Sequence, residues 1–171
     1  MPERDFAPLG AIRVLVDHHV EFVLIGGYAA VLHGSTLFTN DADICPDPNP
    51  ENLDRLAAAL REMDARIRTH AEPDGVPFTS DRHFLGRITM VNLVTKYGDF
   101  DISFKPAASD GYSDLVEHAV EYDLDGIFVK VAALDDVIRS KETANRLKDQ
   151  RALPILYALR DELARRNDDQ A

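Results

Sequence analysis

The residues best suited to chemistry are two aspartates, Asp41 and Asp43, which alternate with Ala42 and Ile44. This alternation is typical of a β-strand, in which residues i and i+2 face the same side. The two carboxylates would then lie about 6 to 7 Å apart along the strand, close enough to share one divalent ion or two. Their hard oxygen ligands suit Mg²⁺, with Mn²⁺ as an alternative, and Mg²⁺ in proteins commonly shares its remaining positions with substrate phosphates.

A pair of glycines, Gly26 and Gly27, closes the apolar run Glu21 to Ile25, and thirteen residues separate Gly27 from Asp41. The run predicts a short buried strand that stops at a turn. Glycine lets a phosphate chain approach the backbone, and free N–H groups at the start of a following helix can bind it. Strand, glycine pair, helix and second strand together predict a site for a nucleoside triphosphate and a metal ion.

The pattern Ile25-Gly26-Gly27, thirteen residues, then Asp41-Ala42-Asp43-Ile44 resembles the signature of the polymerase-beta-type nucleotidyltransferase superfamily. That superfamily has a third carboxylate on a neighbouring strand, and Asp101, between Phe100 and Ile102, has the matching setting. Within that superfamily the chain resembles the small bacterial AbiEii-like, toxin-related nucleotidyltransferases. These carry a late lysine and a Lys-Asp pair, matched here by Lys141 and by Lys148-Asp149.

The resemblance covers about residues 21 to 160 and implies a magnesium-dependent transfer of a nucleoside monophosphate from an NTP to a hydroxyl. It implies that Asp41, Asp43 and Asp101 hold one or two metal ions and, with Lys141, act in catalysis. The expected substrate-binding residues are Gly26, Gly27, Ser35, Thr39, Lys148 and Asp149. Related sequences often have arginine where this chain has Leu37, so a contact made by that arginine is not expected here.

Several assignments have competing interpretations. Asp99 lies two residues before Asp101 and could take its role, although Gly98-Asp99 has the composition of a turn. Ser35 and Thr39 are residue types common in any loop, Lys141 could be a solvated helix residue, and Asp149 could form a surface ion pair of little value. An EF-hand starting at Asp41 is excluded, because Pro46 stands where glycine is required and Asn52 where the bidentate glutamate is required.

The acceptor is open on the sequence alone. A tRNA 3′ end, a protein side chain and a small molecule such as an aminoglycoside are all compatible with the resemblance, as is an antitoxin partner. A segment from Arg139 to Arg166 has eight basic and four acidic residues, a local charge of +4, which mildly favours a phosphate-bearing acceptor. The alternative function is a catalytically inactive binding or regulatory module on the same fold.

Periodicity predicts an α+β protein, and the resemblance implies the nucleotidyltransferase fold, a mixed β-sheet flanked by helices, as a single domain over residues 1–171. The core would span about 21–131 and a C-terminal helical part about 132–166. Predicted helices and strands alternate along the chain, with an irregular segment over 69–82 and a frayed tail after 166. They are helices 8–19, 28–33, 50–63, 134–145 and 147–166, and strands 21–25, 41–45, 88–95, 100–104, 119–124 and 127–131.

Composition limits the remaining choices. The net charge of −11 argues against a protein that coats nucleic acid. The single cysteine, Cys45, is predicted to be buried and gives no disulfide framework. No apolar run is long enough for a membrane span and the first residues do not resemble a signal peptide, so a cytoplasmic protein without membrane contact is expected.

Overall fold

The computed structural model describes residues 5–171 and has seven helices and seven strands in that range. The helices are α1 Pro8–Asp17, α2 Gly26–Leu32, α3 Pro50–Glu62, α4 Arg82–Leu85, α5 Tyr112–His118, α6 Leu134–Ala144 and α7 Leu147–Gln170. The strands are β1 Phe22–Ile25, β2 Asp41–Pro46, β3 Arg66–Ile67, β4 Met90–Thr95, β5 Gly98–Ser103, β6 Val120–Leu124 and β7 Ile127–Val131. The predicted class, a mixed sheet flanked by helices, is confirmed.

The strands form one sheet in the order β3-β4-β5-β2-β1-β7-β6. Strands β2 and β5 run parallel at its centre, and β1 and β7 are also parallel, while the other neighbours are antiparallel. The register of β2 and β5 sets Asp43 opposite Asp101 and Asp41 opposite Asp99. The sheet therefore brings together acids that are almost sixty residues apart in sequence.

The central strands have one apolar face and one polar face. Ala42 and Ile44 of β2 are fully buried, as are Phe100 and Ile102 of β5, whereas the aspartates between them are only partly buried. Because side chains alternate across a strand, burial of the apolar set in the core directs the aspartates to the other face. Packing of the core thus fixes the direction of the acidic side chains.

Helix α3 begins at the predicted position. The Asn49 side chain caps it by accepting a hydrogen bond from the backbone N–H of Glu51, and Pro50 is its first residue. Asn52, the residue that excluded an EF-hand, is buried and bonds the backbone of Glu21 and Asp47. Its role is to join the end of β2 to the start of β1.

Several predicted boundaries were wrong. Helix α2 starts at Gly26 rather than Tyr28, α1 ends at Asp17 rather than His19, and α7 continues through the tail expected to fray, to Gln170. Asp99 was predicted to lie in a turn but lies on β5, because the hairpin of β4 and β5 turns within the two residues Lys96 and Tyr97. The short elements β3, α4 and α5 were not predicted.

Candidate active site

Three carboxylates converge on the polar face of the central strands. Asp41 and Asp43 project from β2 and Asp101 from β5, and one oxygen of each lies within 4.8 Å of the others. All three side chains are partly buried. Of the predicted site residues, these are the ones the fold gathers most closely, and Asp99 lies outside the group.

The group carries a high density of negative charge. Burial, followed by the charges of Asp41 and Asp101, raises the pKa of Asp43 to about 7, although Lys148 and Lys141 act to lower it. Burial also raises the pKa of Asp101 to about 6, against the opposing charge of Arg68. Ionised carboxylates this close repel one another, so a cation placed among them would be strongly stabilised.

The donor set fits a divalent metal. Three carboxylate oxygens from two neighbouring strands match the ligands that Mg²⁺ and Mn²⁺ prefer. The raised pKa values of Asp43 and Asp101 mark the charge that such an ion would neutralise. Asp41, Asp43 and Asp101 are therefore the residues that would hold it.

Gly26 lies directly against the carboxylate of Asp43. Its φ is +69°, and a Cβ built there would lie 2.6 Å from Oδ2 of Asp43, closer than side chains tolerate. The next residue, Gly27, would place a Cβ 3.2 Å from Oγ1 of Thr39. Each glycine thus lets a side chain pack closely against the start of α2: Asp43 at Gly26, where the backbone is left-handed, and Thr39 at Gly27.

The connection from α2 to β2 is held by its own side chains. The Thr39 hydroxyl donates to the backbone oxygen and to Oδ1 of Asp41, each at 3.2 Å. The Oγ of Ser35 accepts a hydrogen bond from the backbone N–H of Leu37, so it is bonded within the connection itself. Leu37 packs against the hydrophobic core, so this position does not make the contact that related sequences would make with an arginine.

Helices α6 and α7 meet at a fully buried carboxylate. Asp149 accepts from the backbone N–H of Arg146 at 3.1 Å and from its Nε at 2.7 Å, and lies 3.6 Å from Nζ of Lys141. Burial acts to raise the pKa of Asp149, but these hydrogen bonds and charges prevail and lower it. The interpretation of Asp149 as a surface ion pair is wrong, and Lys141, which is largely buried, is not a freely solvated lysine.

One residue of the site was not foreseen. Arg68, just after β3, donates from Nη2 to Oδ1 of Asp101 at 2.9 Å, and its Nε lies 3.4 Å from Oδ2 of Asp99. Arg68 comes from an irregular part of the sequence and crosses β4 to reach β5, so no local periodicity points to it. Its only sequence signal is a basic residue in a chain with excess acid.

Known structures share this fold. The chain aligns with lincosamide antibiotic adenylyltransferase LnuA, crystallised with lincomycin, at 14% identity and a TM-score of 0.59 over 89% of this chain and 95% of that one. It aligns with ANT(2″)-Ia in complex with adenylyl-2″-tobramycin at 13% identity and a TM-score of 0.52, over 94% of this chain and 97% of that one. A candidate nucleotidyltransferase of Thermotoga maritima aligns at 16% identity and a TM-score of 0.52, over 86% and 90% of the two chains.

No model of a known protein family matches the sequence, and no curated protein matches it. The structural alignments establish that the chain has the nucleotidyltransferase fold. Within residues 5–171, each helix is too short or too polar to span a lipid bilayer.

Proposed function

We propose that this protein is a divalent-metal-dependent nucleotidyltransferase that transfers a nucleoside monophosphate from an NTP to a hydroxyl acceptor. The observation that carries the proposal is the convergence of Asp41, Asp43 and Asp101, with oxygens within 4.8 Å, on the central strands of the nucleotidyltransferase fold. An isolated acidic pair would be a weak argument. Three carboxylates fixed by the core of this fold are a much stronger one.

The residues divide the chemistry between them. Bound at the three carboxylates, a divalent ion supplies charge neutralisation for the triphosphate and for the leaving pyrophosphate. Gly26 and Gly27 let Asp43 and Thr39 pack against the backbone at the start of α2, and we assign the backbone N–H groups there to the phosphates. We assign to Asp101, on the neighbouring strand, the removal of the acceptor hydroxyl's proton. The hydroxyl oxygen bonds to the α-phosphorus while the bond from the α-phosphorus to the bridging oxygen breaks and pyrophosphate leaves.

The lysines of α6 and α7 complete the electrostatics. Lys148 and Lys141 both act on Asp43 in the direction that lowers its pKa, so the charge of each is felt at this carboxylate. Asp149 holds Lys141 and forms the N-terminal cap of α7 with Arg146. We assign Lys141 and Lys148 to triphosphate charge and Asp149 to the positioning of Lys141, with Ser35 and Thr39 shaping the connection beside the phosphates.

For the acceptor we favour a small molecule. The two adenylyltransferases with this fold carry antibiotic-derived ligands and are matched over 95% and 97% of their length, so this chain has about the size of enzymes that use small acceptors. A tRNA 3′ end, a protein side chain and an antitoxin partner rest on the sequence resemblance alone. Use of an NTP would place the reaction in the cytoplasm.

The basic segment gives little support for a nucleic-acid acceptor. Six of its eight basic residues form ion pairs within the described chain, with Asp135, Asp136, Asp149 and Glu162 as partners. Counting Asp135 and Asp136 lowers the local charge from +4 to +2, since eight basic residues then face six acidic ones. Of the two that remain, Lys148 has a charge that is felt at Asp43.

The test is label transfer. The protein is incubated with Mg²⁺ and each α-labelled NTP in turn, with a lincosamide, an aminoglycoside or total tRNA as acceptor. The Asp41→Asn/Asp43→Asn double variant is compared with Asp161→Asn, which removes an exposed acid of α7 instead. We expect a labelled small molecule with the wild type and Asp161→Asn, and a loss of at least ~10³-fold in the double variant.

The other outcomes are equally informative. Label in tRNA or in protein would identify that acceptor class and overturn the small-molecule assignment. No label with any NTP and any acceptor would contradict the enzyme and leave the inactive binding module as the function.

A further inference from the structure

Arg68 links two carboxylates of β5. Its Nη2 lies 2.9 Å from Oδ1 of Asp101 and its Nε 3.4 Å from Oδ2 of Asp99, so the two acids share one guanidinium edge. The backbone N–H of Arg68 donates to the oxygen of Asn92, the residue of β4 directly opposite Asp101. Arg68 is thus anchored through its backbone on the strand beside the carboxylate that its side chain holds.

We propose that Arg68 is the positioning residue of the third carboxylate: it fixes the orientation of Asp101 and offsets the charge of the acidic cluster before metal binds. Arg68 binds one oxygen of Asp101, which leaves the other oxygen for the metal ion or the acceptor hydroxyl. Asp99 pairs with the Nε end of the same guanidinium edge and so acts on the site indirectly. The effect on turnover rests on the proposed function, whereas the effect on metal binding does not.

Positioning and charge have opposite consequences when Arg68 is removed. Loss of its positive charge leaves four aspartates facing one region, so a divalent cation is attracted more strongly. Loss of its hydrogen bond lets Asp101 rotate, so proton transfer and metal geometry become less accurate. A variant that was merely unstable would weaken both metal binding and turnover.

Two substitutions separate these effects, and the chain supplies a matched control. Arg68→Gln removes the charge, while Arg68→Lys keeps the charge but cannot bridge two carboxylates with one planar edge. Arg66, on β3 itself, donates from Nε and Nη2 to the backbone oxygen of Gly75. Arg66→Gln therefore removes an arginine from the same edge of the sheet without touching the acidic cluster.

The experiment measures Mn²⁺ affinity of the nucleotide-free full chain by electron paramagnetic resonance, together with kcat and KM for the NTP. In Arg68→Gln we expect Mn²⁺ to bind ~3- to 10-fold more tightly, while kcat falls ~10- to 100-fold and KM changes little. Arg68→Lys should return the Mn²⁺ affinity to the wild-type value without restoring kcat. Arg66→Gln should match the wild type in both.

Weaker or unchanged Mn²⁺ binding in Arg68→Gln would overturn the proposal, as would full turnover in that variant or recovery of kcat in Arg68→Lys. If the wild type transfers no nucleotide, the proposed function has failed, and the Mn²⁺ titration still decides whether Arg68 offsets the charge of the cluster. Circular dichroism melting with saturating Mn²⁺ confirms that each variant is folded.

Discussion

At the scale of single residues, the folded protein holds mutually repelling carboxylates close together. Asp43 is surrounded by Asp41 and Asp101, and its burial is the largest cause of its raised pKa. The unfolded chain has no such crowding, so its Asp43 titrates near the ordinary value of 3.8. Between about pH 4 and pH 7 the folded protein therefore binds more protons than the unfolded one, and stability falls as the pH rises through that window.

We predict that, without metal, the melting temperature of the wild type decreases from pH 5 to pH 8 and that Asp43→Asn flattens this decrease. Asp43 alone would change the free energy of unfolding by up to about 1.4 kcal/mol for each pH unit, since one pKa unit corresponds to that energy for one group. Part of the slope should remain in Asp43→Asn, because the pKa of Asp101 is also raised, to about 6.

Calorimetry in the presence of a chelator measures the effect, and Asp161→Asn serves as the control because it removes an exposed acid outside the cluster. Saturating Mn²⁺ at pH 8 should recover the stability lost by the wild type. A wild-type curve that is flat with pH, or an Asp43→Asn curve of undiminished slope, would show that Asp43 is not held in a charged, crowded environment.

At the scale of elements, the junction of β1 and α2 lies directly against the carboxylate of Asp43. Ile25 pairs with Asp43 across the two strands, and Gly26 then turns the chain into α2 with a positive φ. An added Cβ at Gly26 would meet Asp43 itself, at 2.6 Å from Oδ2. The turn and the carboxylate therefore occupy adjoining space, and neither can change alone.

We predict that Gly26→Ala lowers nucleotide transfer at least ~100-fold, because displacement of a catalytic group by about 1 Å can cost that much. Gly126→Ala is the matched control: Gly126 also has a positive φ, +83°, but nothing lies within 4 Å of its added Cβ. Both variants should lose ~1 to 2 kcal/mol of stability from backbone strain, measured by urea unfolding. Equal transfer rates in the two variants would mean that the close contact between residue 26 and Asp43 does not affect nucleotide transfer.

The sequence allowed prediction of those elements whose signals are local. Alternation over Asp41–Ile44, the cap at Asn49 and the Asp125-Gly126 turn, both of whose residues have positive φ, led to the correct strand, helix start and hairpin. Helix α2 was predicted to start too late because glycine has low helix propensity, which tertiary packing overrides here. Strand β3 has only two residues and exists through pairing with β4, so no periodic pattern could predict it.

The same distinction holds for the site. Asp41 and Asp43 alternate with the apolar Ala42 and Ile44, so their shared face could be predicted from alternation. Asp101 lies between Phe100 and Ile102, and the family resemblance predicted that it joins the pair. Arg68 could not, because its contact with Asp101 depends on the order of β3, β4 and β5 in the sheet. Burial of Asp149 was missed for a similar reason, since it requires the packing of α7 against α6.

At the scale of the whole molecule, charge opposes nucleic-acid binding. The chain has 30 acidic and 19 basic residues, and the basic residues of α6 and α7 are mostly paired with nearby carboxylates. Binding to RNA draws its affinity from lysines and arginines that are free to neutralise phosphates. A small uncharged or cationic acceptor meets no such barrier and would be attracted by the acidic excess.

We therefore predict that the protein does not retain tRNA at 0.15 M salt, with a dissociation constant weaker than about 10 µM in a gel-shift titration. Lys148→Gln/Arg151→Gln, which removes the basic residues of the segment that lack an ion-pair partner within the described chain, should leave this weak binding unchanged. The complementary control removes an ion-pair partner instead. Glu162→Gln frees Arg165 and Arg166 and should strengthen tRNA binding at low salt only. Tight tRNA binding that weakens steeply with salt and is lost in Lys148→Gln/Arg151→Gln would instead identify α7 as an RNA-binding helix, and the acceptor would then have to be sought among nucleic acids.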